Sequence, residues 1–112
     1  TLAVDRSNSN IAEPYDHFNP AVLRLVQHTI KAAHDHGKWC GMCGEMAGDP
    51  YAAVLLLAMG IDELSMSAPS IPRVKEMIRS VTFEEAKGHL AKVMEMETGE
   101  QVLKYLQEAM ER

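Results

Sequence analysis

Cys40 and Cys43, three residues apart in the stretch K-W-C-G-M-C-G-E-M-A-G-D-P (residues 38–50), are the side chains of this sequence most open to chemistry. A C-x-x-C pair can cycle between dithiol and disulfide, and with His34 and His36 just upstream it offers four zinc ligands. Two thiols can also pack as small buried hydrophobes. In a further reading Cys43 works alone, held between Met42 and the glycine-bounded segment Gly44, Glu45, Met46, Ala47, Gly48.

Each possibility needs a different backbone. On a strand, side chains alternate faces, so residues 40 and 43, an odd number apart, point to opposite sides; a shared zinc needs a tight turn, which Gly41 could permit. His34 and His36, two apart on a helix, diverge. A thioredoxin-like site requires a helix that opens at the first cysteine and lowers its thiol pKa, whereas the next helix start here is Asp49 or Pro50. A strand end followed by a glycine loop is, by contrast, where α/β folds place their ligands.

The flanking pattern supplies such a strand. Asn19 can cap and Pro20 open a helix with Val22, Leu25, Val26, Ile30 and Ala33 on one face, ended by Gly37. Residues 39–43 are short and apolar; residues 52–59 are apolar nearly all round, as in a helix buried on several sides, and Gly60 stops them. Residues 64–67 read as a second strand, giving a βαβ unit with parallel pairing and a right-handed crossover. A helix then starts near Ser70 with Pro72 in its first turn and Val74, Met77, Ile78 and Val81 as its stripe. Two capping boxes follow. Thr82 with Glu85 starts a helix faced by Phe83, Ala86, Leu90, Val93 and Met94, and Thr98 with Gln101 one faced by Val102, Leu103, Leu106 and Met110.

Residues 1–18 read as loop, so the expected organisation is a loop segment (1–18), a helix plus βαβ unit (19–67) and C-terminal helices (68–112). About two parallel strands and four to five helices make an α/β unit. Two such strands are a poor independent sheet, so more sheet is expected from elsewhere in a longer protein or from a partner chain.

At 112 residues and 46% hydrophobic content the chain suits one domain. A formal charge of -5, spread along the sequence, argues against nucleic acid and anionic membrane as main partners. The longest apolar run, residues 51–59, is far below membrane-spanning length, and no basic-then-apolar leader opens the chain. Two cysteines without a secretion signal fit a reducing compartment, so cytoplasm is expected. Because the chain opens on Thr1 rather than methionine, a fragment or processed product is expected.

Four stretches together, G-M-C-G-E-M-A-G-D (residues 41–49), L-L-L-A-M-G-I-D-E-L-S-M-S (residues 55–67), S-I-P-R (residues 70–73) and T-L-A-V-D-R (residues 1–6), resemble the C-terminal end of the enzyme I family. These are the phosphoenolpyruvate-protein phosphotransferases of the bacterial sugar phosphotransferase system. The likeness is clear to about Ala86 and weaker beyond it. It implies a (β/α)8 TIM barrel, of which this chain would be the last quarter and incomplete as a barrel, with residues 39–43 and 64–67 as strands seven and eight. It further implies phosphoenolpyruvate (PEP) and pyruvate as substrate and product, a phosphocarrier protein engaged through a missing N-terminal part, a homodimer, and magnesium in the full-length enzyme. The magnesium ligands would lie upstream, so none is expected to be bound by this chain alone.

Two positions carry over from the family. Arg6 matches an arginine that contacts the substrate phosphate, and Cys43 matches the cysteine that protonates C3 of the enolpyruvate. Once PEP loses its phosphoryl group, the enolate must gain a proton at carbon to become pyruvate. A cysteine thiol, with an ordinary pKa of about 8.5, is mostly protonated at neutral pH yet acidic enough to supply it. Arginine suits phosphate because its planar fork donates two parallel hydrogen bonds. Cys40 has no counterpart role, and His17, His28, His34, His36 and His89 match no phospho-acceptor and are expected at the surface or at helix ends. The segment alone is expected to lack enough of the site to turn over; the alternatives are a non-catalytic self-associating fragment and a C-x-x-C redox or zinc module.

Overall fold

The structure, a computed structural model, describes residues 18–44 and 46–110. Arg6, His17 and all but Phe18 of the loop expected over residues 1–18 lie outside the described residues. The order is α1 (Pro20–Asp35), β1 (Gly41–Cys43), α2 (Pro50–Ala58), β2 (Glu63–Ser65), a 3-10 turn (Ala68–Ser70), α3 (Ile71–Arg79), α4 (Phe83–Val93) and α5 (Gly99–Met110). Among the described residues, five α-helices and two strands match the expected α/β composition, and the arrangement fits a piece of an α/β barrel.

Local signals work where they are local. Asn19 caps α1 by accepting the Ala21 N–H at 2.9 Å, with Pro20 at the first helical position. The buried line of α1 is not the expected one, however: Leu23 and Ile30 are fully buried, Val26 packs beside them, and Leu25 is 42% exposed. Leu25 sits two residues beyond Leu23, about 200° around the helix, and so belongs to the outer face. Both capping boxes form. Thr82 Oγ1 accepts the Glu85 N–H while Glu85 Oε1 accepts the Thr82 N–H, and Thr98 and Gln101 do the same for α5. In α4, Ala86, Leu90 and Val93 are buried as expected, but Phe83 remains half exposed. Phe83 lies in the first turn, where its ring takes the Lys87 ammonium 5.2 Å from the centroid and keeps one face toward water.

The two strands pair in parallel, with Gly41 opposite Glu63, Met42 opposite Leu64 and Cys43 opposite Ser65. Each is three residues long, shorter than expected. The ladder starts late because the side chain of Asp62, not a backbone carbonyl, accepts the Cys40 N–H. It ends at Cys43 because Gly44, with φ of 96°, turns the chain away. Met42 and Leu64 pack toward the core, whereas Gly41, Cys43, Glu63 and Ser65 are exposed on the other face.

Behind the sheet stands α2. Asp49 caps it by accepting the N–H groups of Tyr51 at 3.0 Å and Ala52 at 3.3 Å. Residues 52–56 have no exposed surface, and the helix packs against α3, α4 and α5. Being apolar on all sides, α2 forms the centre of the core, where the fully buried Leu55 and Leu56 each stabilise by about 1.5–3 kcal/mol.

Candidate functional site

Parallel strands deliver their following loops to the same end, and here the two loops touch. After β1 the chain makes a compact turn in which the Gly48 N–H donates to Gly44 O at 3.3 Å and Met46 and Ala47 are buried. After β2 it passes through Met66 and Ser67 into the 3-10 turn. At the meeting point a side chain on Gly48 would place its Cβ 3.6 Å from Met66 Cβ, an ordinary contact, but 3.3 Å from Ser70 Oγ, so any residue but glycine would make Ser70 give by a few tenths of an ångström. Ser67 Oγ and Ser70 Oγ lie 3.2 Å apart beside this contact. Cys43 is the last residue of β1, at the foot of the first loop, and its thiol is exposed.

The cysteine pair separates as strand alternation requires. Cys40 is partly buried and packed against the core, on the side of Met42; Cys43 stands on the opposite, open face with Gly41 and Ser65. Both are free thiols. His34 and His36 are engaged elsewhere: His34 Nε2 donates to Asp62 Oδ2 at 2.7 Å, and His36 Nδ1 bonds Ala32 O at 2.9 Å. Among the described residues no three His, Cys, Asp or Glu side chains converge as metal ligands. The four candidate zinc ligands are thus not brought together here, and the next helix opens at Pro50 rather than at a cysteine, unlike a thioredoxin-like site. Nor do these residues fit a magnesium site. His28 is exposed on α1, and His89 is half-buried with Nδ1 2.9 Å from the Tyr105 hydroxyl.

Gly41 is spoken for within the chain itself. A Cβ there would fall 2.9 Å from Cζ3 of Trp39, whose ring lies along the open face and is 67% exposed. One hollow of about 640 Å³ lies between α2, α3 and α5, lined by Phe18, Tyr51, Arg73, Met77 and Leu103 among others. A second, of about 420 Å³, lies along α1 beside Arg24, His28, Lys31 and His34. Cys43 lines neither of these two hollows; among the described residues its side chain is exposed.

Asp62 is the side chain of this region that the sequence pattern did not single out. Its Oδ2 accepts both the Cys40 N–H and the His34 Nε2–H, each at 2.7 Å, while its own N–H donates to Cys40 O at 2.9 Å. The Cys40 N–H, and after it His34, hold its carboxyl below the usual carboxylate value of 3.8. Its signal was an acidic residue one place before a strand, opposite the residue one place before the other strand. Glu63 and Ser65 were equally open to detection, by carrying the parity of Cys43 across the parallel register; they bond each other, Ser65 Oγ donating to Glu63 Oε1 at 3.2 Å.

Comparison with known proteins bears on this geometry. The family described as "PEP-utilising enzyme, PEP-binding domain" matches residues 1–83. The phosphoenolpyruvate-protein phosphotransferase of Buchnera aphidicola subsp. Acyrthosiphon pisum is 52% identical over 103 residues, covering 92% of this chain and 18% of the relative. That of Haemophilus influenzae is 56% identical over 87 residues (78% and 15%), and that of Bacillus subtilis 45% identical over 108 residues (96% and 19%). The chain thus spans less than a fifth of the length of these relatives.

Proposed function

Because this chain belongs to the PEP-utilising enzymes, through their PEP-binding domain, we propose that it is the part of a PEP-protein phosphotransferase that carries the proton donor for pyruvate formation. The observation that supports this most directly is the position of Cys43: exposed, last in β1, on the open sheet face, with the contacting loops at the same end of the strands. In the proposed reaction the phosphoryl group leaves PEP for a histidine nitrogen of the protein. The P–O bond to the enol oxygen breaks, and its electrons remain on the pyruvate enolate. Cys43 then gives its thiol proton to C3, forming the methyl group, and the thiolate is reprotonated from solvent. Arg6 is proposed to hold the phosphate.

Acceptance by a phosphocarrier protein and sugar uptake follow from the same reading and rest on parts of the protein outside this segment. Magnesium belongs to those parts as well, and no step here passes through it. The segment alone is proposed not to turn over, and a cytoplasmic setting accords with two free thiols. Among the described residues no helix is long and apolar enough to cross a membrane.

The test is Cys43→Ala in the full-length enzyme. Pyruvate formation is expected to be lost while PEP binding persists, and undiminished pyruvate formation would refute the assignment. A second reading, self-association, draws on a sheet of two described strands, each with one neighbour, and on exposed Trp39, Leu25, Ile71 and Phe83. It predicts dimers of the isolated chain by light scattering; a monodisperse folded monomer counts against it.

A further inference from the structure

We infer that Asp62 is a positioning residue for Cys43: it holds β1 in register with β2 and thereby keeps the thiol on the open face. This rests on the proposed role of Cys43.

The ladder between the strands is only three residues long, so it contains few backbone bonds to specify its register. A slip of one residue in a strand moves every side chain to the other face. For β1 that slip would turn Cys43 toward the core and bring Met42 to the open side. Asp62 opposes it by gripping Cys40, the residue just before β1, at both of its backbone groups. The Asp62 N–H donates to Cys40 O at 2.9 Å, and Asp62 Oδ2 accepts the Cys40 N–H at 2.7 Å, a short charge-assisted bond. A slipped strand can keep neither.

The grip is anchored from a third element. His34, in the last turn of α1, donates Nε2–H to the same Oδ2 at 2.7 Å, and its Cε1 lies 3.7 Å from where a Cβ on Gly60 would stand. One carboxylate therefore ties the end of α1, the start of β1 and the start of β2, residues 28 and 22 positions apart in sequence. Asp62 itself lies at the strand's beginning, whereas Cys43 ends it, so Asp62 acts on the thiol through the backbone of β1.

The experiment compares Asp62→Ala and Asp62→Asn in the full-length enzyme, reading kcat and KM for pyruvate formation from PEP and the rates at which iodoacetamide alkylates Cys43 and Cys40. Asp62→Ala is expected to lower kcat about 10–100-fold per folded molecule, with KM for PEP preserved and the ratio of Cys43 to Cys40 alkylation reduced. Asp62→Asn keeps an acceptor for the Cys40 N–H and is expected to recover most of both readouts. If Asp62→Ala does not accumulate as folded protein, Asp62→Asn carries the test alone, through a smaller loss in the same direction. Wild-type kcat with a wild-type alkylation ratio overturns the proposal, as does activity that falls only in proportion to folded protein. Should Cys43→Ala retain pyruvate formation, the role of Cys43 fails, while the alkylation ratio still reports whether Asp62 holds the strand.

Discussion

Cys43 and Ser65 stand opposite one another as the last register pair of the parallel ladder, both on the open face, and three residues before Cys43 a second thiol, Cys40, packs against the core. The two cysteines are accordingly expected to differ in accessibility. Alkylation of the native chain followed by peptide mass spectrometry should label Cys43 well ahead of Cys40, with equal labelling only after denaturation. Equal rates in the native state would contradict the alternation seen in β1.

The turn after Cys43 depends on backbone geometry at Gly44, where φ is 96°. Gly44→Ala is expected to destabilise by about 1–2 kcal/mol, the cost of forcing an L-residue into that region, measured by urea unfolding. Gly48→Ala tests the neighbouring loop contact instead. Its Cβ would meet Ser70 at 3.3 Å, so a smaller loss of stability is expected together with lower PEP turnover in the full-length enzyme, because the two loops at the strand ends must part.

Acid should loosen the junction at Asp62. Its carboxyl titrates below the usual 3.8, chiefly because the ionised form accepts the Cys40 N–H and then because of His34. A carboxylate depressed in the folded state contributes stability that is fully present above its unfolded value and is lost as pH falls through the lower folded one. The difference in stability between wild type and Asp62→Asn is therefore expected to shrink as pH falls below about 4, as followed by denaturant unfolding at stepped pH.

Core substitutions should act on the whole unit. Leu55, wholly buried in the helix that touches α3, α4 and α5, is expected to lose about 2–5 kcal/mol as Leu55→Ala, lowering the unfolding midpoint without altering the relative labelling of the two thiols while the protein is folded. A change in that labelling ratio would show that the core and the open face are coupled.

What could be read without coordinates followed the range of the interactions. The caps at Asn19, Thr82 and Thr98 were legible because donor and acceptor lie within three residues. So was the divergence of Cys40 and Cys43, which needs only the twofold period of a strand. Parallel pairing followed from the strand–helix–strand order. The inward line of α1 was misread because Leu25 and Leu23 are equally apolar, and only the neighbours that cover Leu23 distinguish them. The early start given to β1, and the passing over of Asp62, share a reason: the bond at the head of the ladder joins side chain to backbone across 22 residues, with no periodic trace. Arg6 is a feature of motif resemblance alone.

The strict alternation along β1 and β2 has an evolutionary corollary. Met42 and Leu64 answer to the core, Gly41 to the Trp39 ring beside it, and Cys43, Glu63 and Ser65 to whatever occupies the open side. Adjacent residues thus meet unrelated surroundings. Saturation mutagenesis of the five positions other than 41 should give a sawtooth, with folding-defective variants at 42 and 64 and folded but altered ones at 43, 63 and 65. A sheet built this way can acquire new chemistry one position at a time without reopening the question of whether it folds.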